Sequence, residues 1–209
     1  MVADMAIRLY SWPMSSGSRV QWALEELGVP YEYVQLDRSK GEHKAPAYLA
    51  VNPNGKVPAL VDGDETYFES AAITMHLGEK YGVERKMWPA SGQDRADALS
   101  WSVWSMTELH TFALRYIYHG LDSPISYKPE QRSKAAADFN LGATTRNLAM
   151  LDTRLSSREY LLGGFTLLDV LAGSTVRFAK MMGVSTEAVP HVNAWLARLA
   201  PRPALAKVR

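Results

Sequence analysis

The first third of the chain carries short apolar runs separated by one amphipathic segment. Residues 6–12 place Ile7 and Leu9 on one face of a predicted strand. Apolar residues then recur at helical spacing until Gly28, which predicts a helix that stops there. Residues 31–36 are aromatic and β-branched and predict a second strand. Because a helix connects the two strands, we expect them to be parallel.

The pattern continues with a predicted hairpin and a second long helix. A looser segment over 41–52 includes one short helical turn. Residues 57–61 and 66–68 predict two strands, joined by a turn with Gly63 at its centre. Apolar residues four apart predict a helix over 69–81. The predicted order is therefore β-α-β, a short helix, and β-β-α.

The periodicity changes after Gly82, where strand-like alternation ends. Four helices are predicted, over residues 94–119, 129–156, 166–182 and 187–199. A Pro-Ala-Ser-Gly run within residues 84–93 reads as a linker. The sequence therefore predicts an α/β domain over 1–83, a linker over 84–93 and an all-helical domain over 94–209.

Composition and charge exclude several classes of function. The net charge is +1, so the composition does not indicate a strongly basic surface that would bind nucleic acid or a membrane. The chain has no cysteines, which excludes zinc–thiolate sites and a cysteine nucleophile. Charged residues interrupt the N-terminal segment, and no apolar run is long enough to span a bilayer. We expect a cytoplasmic protein with no metal.

Val57-Pro58 lies where the third strand is predicted to begin. A proline is tolerated at that position because the missing N–H costs little there. If the bond is cis, the N–H and C=O of Val57 stay outside the sheet and can pair with an extended peptide. An ordinary proline at a strand entry explains the same pattern.

Glu69-Ser70 lies at the start of the helix that follows the hairpin. Backbone N–H groups at a helix start attract anions, and a serine hydroxyl adds a donor. The carboxylate of Glu69 can take an ammonium group, so the pair suits the head group of an amino acid. Simple capping is the structural alternative.

Two further polar clusters suggest an anion site. His43 and Lys44 can meet a carboxylate, as can Lys56, although a solvated loop also explains these charges. The segment 15–18 (Ser-Ser-Gly-Ser) precedes the first helix, where a hydroxyl can donate to an anion beside the helix dipole. A thiol placed there loses its proton more readily. At least one of these serines is expected to cap the helix.

Together these clusters resemble the glutathione transferase family, and the resemblance covers nearly the whole chain. It is densest in Gly41-Glu42-His43-Lys44, in the run 48–60 that contains Asn-Pro-Asn-Gly-Lys-Val-Pro, and in the run 68–73. His43-Lys44 and the run 24–32 look most like the serine-type phi class. Ser-Ser-Gly-Ser followed by Arg-Val also looks like the zeta class, which isomerises maleylacetoacetate. That class has cysteine where this chain has Gly17.

The resemblance implies a thioredoxin-like first domain that binds glutathione as co-substrate. The family's serine falls at Ser15, whose hydroxyl would stabilise the glutathione thiolate; Ser16, Ser18 and Tyr10 are the alternatives. Thr166 and Asp169 match the family's capping box, which serves folding. The implied glutathione ligands are His43, Lys44, Lys56, Val57, Pro58, Glu69 and Ser70.

The implied reaction is conjugation of glutathione to a small hydrophobic electrophile, as in detoxification, with a possible peroxidase side activity. A homodimer is expected from the family. The electrophile site is expected between the domains, with the candidate residues Trp12, Met14, Trp104, Glu108, Thr111 and Phe112. The competing interpretations are a zeta-like isomerase and a non-catalytic interaction module. A thiol–disulfide oxidoreductase is excluded because the chain has no cysteine.

Overall fold

The computed structural model describes residues 7–208, and the chain divides into two compact units. Unit 1 extends to Ala90 and also includes the C-terminal segment from Arg202, and unit 2 comprises Ser91–Pro201. Residue 6, with which the first strand was predicted to begin, lies outside the described residues, as does most of the N-terminal segment in which we read no signal sequence.

Unit 1 follows the predicted order of strands and helices. Its elements are β1 (Ile7–Ser11), α1 (Gly17–Leu27), β2 (Tyr31–Gln35), α2 (Pro46–Leu49), β3 (Ala59–Asp62), β4 (Glu65–Phe68) and α3 (Ser70–Leu77), with a 3-10 turn at Glu42–Lys44 and a π-helical turn at Gly78–Gly82. The sheet has the order β2-β1-β3-β4. β1 and β2 are parallel, as predicted, whereas β3 is antiparallel to both of its neighbours.

The core of unit 1 lies between the sheet and its helices. Ile7 and Leu9 of β1 are buried on one face, as the alternation predicted. α1 contacts both β1 and α3, and it buries Val20 and Leu24 completely. Gly28 ends α1 with a φ of 63°, a left-handed conformation that glycine adopts without steric cost.

The long elements of unit 2 are all helices. These are α4 (Gly92–Trp104), a π-helical turn (Ser105–His110), α5 (Thr111–Gly120), α6 (Lys134–Leu155), α7 (Leu167–Met181) and α8 (Pro190–Leu199). The single helix predicted over 94–119 is therefore interrupted by one wide turn. The helix predicted from residue 129 begins only at Lys134, because Ser133 caps it by accepting a hydrogen bond from the N–H of Ala136 at 3.2 Å. The last helix begins at Pro190 rather than at residue 187.

The buried helix α7 is anchored by one carboxylate. Asp169 accepts hydrogen bonds from the N–H of Leu161, from the N–H and hydroxyl of Thr166, and from the indole N–H of Trp195, at 2.9–3.1 Å. The reciprocal pairing of Thr166 and Asp169 was predicted from the sequence. The bond to Trp195 joins α7 to α8 in addition.

The C-terminal segment differs from the predicted boundary at 94–209, because residues 202–209 group with unit 1. Arg202 forms two ionic hydrogen bonds with Glu26 of α1, from Nε at 2.6 Å and from Nη2 at 2.7 Å. Lys207 reaches Glu25 at 3.1 Å. These contacts hold the end of the chain against α1. The two units, one α/β and thioredoxin-like and the other all-helical, have the fold class that the sequence predicted.

Candidate glutathione site

The register of unit 1 gathers the candidate residues at one end of the sheet. Tyr10 of β1 pairs with Ala59 of β3, and Ala59 pairs with Phe68 of β4. One residue further along, Ser11, Pro58 and Glu69 therefore lie side by side at this end of the sheet. α1 and α3 both begin just beyond it. Segments far apart in sequence are thus brought together, as the sequence predicted.

Ser15 lies directly before α1 with its hydroxyl fully engaged. Its Oγ is 2.7 Å from the carbonyl oxygen of Trp12, 2.9 Å from the hydroxyl of Ser11 and 3.1 Å from the N–H of Gly17. A hydroxyl has one proton and two acceptor positions. The carbonyl accepts and the N–H donates, so when Ser15 donates to this carbonyl, Ser11 supplies the proton of the remaining bond.

Ser16 has a different partner, although it is adjacent in sequence. Its hydroxyl donates to the carbonyl oxygen of Val57 at 3.0 Å, across 41 residues of chain. The N–H of Val57 makes no hydrogen bond with any described residue. The bond between Val57 and Pro58 is cis, and β3 begins only at Ala59. Val57 therefore presents a free donor at the end of the sheet, as expected for an edge that accepts a peptide.

Glu69 and Ser70 form the start of α3. Glu69 is the N-terminal flanking residue of α3 rather than part of it, and it has φ 69° and ψ 119°. A residue other than glycine with these backbone angles carries a conformational strain of about 1–3 kcal/mol. Ser70 is buried, and its hydroxyl makes no hydrogen bond with any described residue. The helix start thus presents a carboxylate, a hydroxyl and free N–H groups.

The predicted cations lie on the loop before β3. The amine of Lys44 donates to the carbonyl of Asn54 at 3.3 Å, and the side chain of Lys56 is exposed. Nδ1 of His43 is buried without a partner among the described residues, and the ring meets Trp12 edge-on at 5.4 Å. These three side chains supply positive or donating groups.

Two buried polar residues fix the backbone at Lys56. The carbonyl of Lys56 accepts hydrogen bonds from the hydroxyl of Tyr48 at 2.5 Å and from Nδ2 of Asn52 at 2.7 Å. Burial raises the pKa of Tyr48 to about 12, which keeps the phenol protonated as a donor. These two hydrogen bonds therefore fix the backbone that leads into Val57.

Burial also affects the one arginine near the start of α1. Arg19 is buried, which lowers its pKa to about 10. The guanidinium remains positively charged at neutral pH.

The alternatives to Ser15 have other surroundings. Tyr10 alternates to the face of β1 opposite Ser11, where its ring packs 5.8 Å from that of Tyr48. Ser18 lies inside α1, and its N–H donates to the carbonyl of Ser15. Neither hydroxyl contacts the Ser15 hydroxyl in the hydrogen bonds of the described residues.

The candidate electrophile residues fall in both units. In unit 1, Met14 has φ 57° and is 78% exposed, and Trp12 lines a cleft of about 510 Å³ with the residues that follow β2. In unit 2, Trp104 packs edge-on against Trp101 at 4.9 Å, and Glu108 is exposed. The hydroxyl of Thr111 donates to the carbonyl of Met106 at 2.9 Å.

The remaining candidate of unit 2, Phe112, packs against another aromatic residue. Its ring lies 6.1 Å from that of Phe139. Trp104, Glu108 and Thr111 are all close to the π-helical turn at Ser105–His110. Such turns are frequent at functional sites in helices.

Sequence reasoning missed Ser11. This side chain is completely buried and lies against Ser15. The available signal was a polar residue at the third inward position of β1, after Ile7 and Leu9. Gly17 leaves room for it, because a Cβ at position 17 would lie 1.8 Å from the Ser11 hydroxyl oxygen.

The mixed four-stranded sheet with its helices and the helical second unit define a thioredoxin-like unit combined with an all-helical unit. The glutathione S-transferase N-terminal domain matches residues 5–79, and the C-terminal domain of the same family matches residues 111–203. The chain belongs to the glutathione S-transferase family. This confirms the family that the sequence motifs indicated.

Individual relatives and solved structures agree with the domain matches. Glutathione S-transferase 4 of Zea mays is 36% identical over 99% of this chain and 93% of its own length. Glutathione S-transferase F13 of Arabidopsis thaliana is 34% identical over 98% and 95%. Both relatives are named glutathione S-transferases.

A glutathione transferase of Phanerochaete chrysosporium, solved with oxidized glutathione, superimposes with a TM-score of 0.85 at 33% identity, over 100% of this chain and 96% of the other. Within residues 7–208, no helix is long and apolar enough to cross a membrane. The same residues contain no group of three or more His, Asp or Glu side chains placed to hold a metal ion.

Proposed function

We propose that this protein conjugates the thiolate of glutathione to small hydrophobic electrophiles, with Ser15 as the residue that stabilises the thiolate. The observation that carries the proposal is the sheet end at which Ser11, Pro58 and Glu69 lie side by side. The Ser15 hydroxyl before α1, the N–H of Val57 and the Glu69-Ser70 pair at the start of α3 belong to these residues or lie close to them in the chain, which supports the proposal.

Ser15 would act by donating its proton in a hydrogen bond to sulfur. A hydrogen bond to a charged group contributes about 1.5–3 kcal/mol, which corresponds to about one to two units of thiol pKa. The start of α1 adds its dipole to the same effect. The protein thus supplies the nucleophile in its ionised form, and the thiolate attacks the electrophilic carbon.

The rest of the sheet end would hold the tripeptide. The N–H of Val57, beside cis-Pro58, would pair with the main chain of the cysteinyl residue. Glu69 and Ser70 would bind the ammonium and carboxylate of the γ-glutamyl end. His43, Lys44 and Lys56 would face the glycine carboxylate.

In unit 1, Trp12 and Met14 would contact the electrophile. The same thiolate can attack a hydroperoxide oxygen, which releases an alcohol and forms a sulfenic derivative of glutathione. A second glutathione then yields the disulfide and water. A peroxidase side activity is therefore part of the proposal, as are a detoxifying role in the cytoplasm and a homodimeric state.

The test is turnover of 1-chloro-2,4-dinitrobenzene and of cumene hydroperoxide by wild type, Ser15→Ala and a matched control. Ser102→Ala is the control, because it also deletes a buried hydroxyl and Ser102 has no hydrogen-bond partner among the described residues. We expect loss of both activities in Ser15→Ala only. Full activity in that variant would remove Ser15 from its role.

Calorimetry separates the enzyme from a non-catalytic module. We expect wild type to bind glutathione with a dissociation constant below about 1 mM, which corresponds to about −4 kcal/mol. A chain that binds none at that concentration would be an interaction module. Turnover of maleylacetoacetate in preference to the dinitrobenzene would instead identify a zeta-like isomerase.

A further inference from the structure

The Ser11 hydroxyl is completely buried, and its nearest polar neighbours all belong to the loop before α1. It lies 2.9 Å from the Ser15 hydroxyl and 3.3 Å from the carbonyl oxygen of Trp12. Its single proton can serve only one of these two acceptors well at a time. Ser11 therefore has two alternative positions for its proton.

The two positions of the Ser11 proton are not equivalent. The Trp12 carbonyl lies closer to the Ser15 hydroxyl, at 2.7 Å, than to the Ser11 hydroxyl, so the favoured arrangement has Ser15 donating to the carbonyl and Ser11 donating to Ser15. To donate to a sulfur, Ser15 must withdraw its proton from that carbonyl. The carbonyl would then lose its short hydrogen bond, and a buried polar group without a partner is unfavourable.

We propose that Ser11 is a positioning residue that releases the Ser15 proton for the glutathione sulfur, an inference that rests on the proposed function. When the sulfur arrives, the Ser11 hydroxyl turns to the Trp12 carbonyl, which it already reaches at 3.3 Å. Ser15 turns its own proton to the sulfur and keeps it. The thiol proton leaves to water, so no proton is lost from either serine.

The surroundings of Ser11 support this role. Its position in β1 fixes the backbone, because Ser11 pairs with Gln35 of β2 and its carbonyl accepts from the N–H of Leu36 at 2.9 Å. A side chain at position 17 would occupy the space of the hydroxyl, since the nearest approach is 1.8 Å. The hydroxyl is therefore confined to a small volume between Ser15 and Trp12, where only its proton direction changes.

The experiment measures the ionisation of bound glutathione by the ultraviolet absorbance of its thiolate, across pH. We expect Ser11→Ala to raise the pKa of the bound thiol by about one unit, which lowers the rate about tenfold at pH values below that pKa. At high pH the rate should return to within about twofold of wild type, because thiolate then forms without help. The KM for glutathione should change by less than about twofold, because Ser11 is fully buried and is placed outside the set that binds glutathione.

A double-mutant cycle shows whether Ser11 acts through Ser15. We expect Ser11→Ala to have no further effect on the thiol pKa once Ser15 is alanine. Ser102→Ala is the matched control for deleting a buried hydroxyl.

Three outcomes would overturn the inference. They are an unchanged thiol pKa in Ser11→Ala, a rate loss that is equal at all pH values, and an equally large effect in the Ser15→Ala background. Failure of wild type to bind glutathione, measured by calorimetry, would instead overturn the proposed function, so the two failures are distinguishable.

Discussion

The hydroxyl of Ser16 donates to the carbonyl of Val57 at 3.0 Å, and so joins the start of α1 to the entry of β3. The neighbouring Ser15 makes no contact with Val57 in the hydrogen bonds of the described residues and instead bonds within its own loop. Two adjacent serines thus have separable roles. In the proposed function Ser15 faces the sulfur, whereas Ser16 binds the carbonyl of Val57, whose N–H would pair with the peptide.

This separation predicts different kinetic effects for the two alanine variants. Ser15→Ala should lower kcat about 10- to 100-fold at neutral pH, because one to two units of thiol pKa are lost. Ser16→Ala should raise the KM for glutathione about fivefold, because one hydrogen bond of about 1 kcal/mol no longer positions Val57. Steady-state kinetics with glutathione as the varied substrate measures both. If Ser16→Ala instead lowered kcat and Ser15→Ala raised the KM, Ser16 would be the residue that faces the sulfur.

The lysines are expected to bind the glycine carboxylate of glutathione. Lys44→Gln and Lys56→Gln should each raise the KM for glutathione about tenfold, because a charge-assisted hydrogen bond contributes about 1.5 kcal/mol. An analogue with the glycine carboxylate blocked as an ester should show no such increase. Lys40→Gln is the control, because Lys40 is exposed and pairs only loosely with Asp37, at 3.4 Å. Equal effects on glutathione and the ester would place the carboxylate elsewhere.

The ion pair between Glu26 and Arg202 predicts a role for the C-terminal segment in stability. The side chain of Glu26 is 6% exposed and that of Arg202 is 25% exposed. Glu26→Gln should lower the free energy of unfolding by about 2–3 kcal/mol, because it leaves a partly buried guanidinium without its carboxylate. Urea denaturation measures the change.

The matched control for this pair is an exposed one. Asp138→Asn breaks the pair between Lys134 and Asp138 on α6, where both side chains are more than half exposed. Such pairs contribute less than about 0.5 kcal/mol. If both substitutions had the same effect, the C-terminal segment would not stabilise unit 1 through Arg202.

Asp62, at the end of β3, predicts a loss of stability in acid. Burial alone would raise the pKa of Asp62, but hydrogen bonds from Lys80, His76 and Tyr81 outweigh it and hold the pKa below the usual 3.8. The folded state therefore binds a proton less readily than the unfolded state. The contribution is present above pH 3.8 and is lost as the pH falls through the lower, folded pKa.

The comparison variant for this effect is Asp62→Asn. We expect its urea midpoint to be lower than that of wild type at about pH 6 and the two midpoints to converge in acid, because the charge that distinguishes them is gone. A constant difference between the two proteins at every pH would show that the hydrogen bonds, and not the charge, stabilise this hairpin.

The alternation and the turn residues were sufficient to predict the elements of unit 1. Gly28 ended α1 as expected, and the turn centred on Gly63 joined β3 to β4. The exact starts were less predictable. Residue 57 was assigned to β3, yet the strand begins at Ala59. Glu69 was assigned to α3, yet it flanks the helix with a positive φ.

The contacts between side chains could not be predicted from the sequence. Ser11 and Ser15 are four residues apart, but their contact depends on a loop that turns back on itself. Arg202 and Glu26 are separated by 176 residues, and no periodicity connects them. In unit 2, the interruption of the first long helix by a π-helical turn leaves no signal in the spacing of its apolar residues.

Because Glu69 has a positive φ, selection for stability and selection for glutathione binding favour different residues at this position. Glycine there would remove a conformational cost of about 1–3 kcal/mol and so make the fold more durable. It would also delete the carboxylate that, in the proposed function, binds the ammonium group of the tripeptide. Selection for thermal stability alone should therefore favour glycine at position 69. Selection for glutathione binding should retain the glutamate, at the cost of a lower free energy of unfolding.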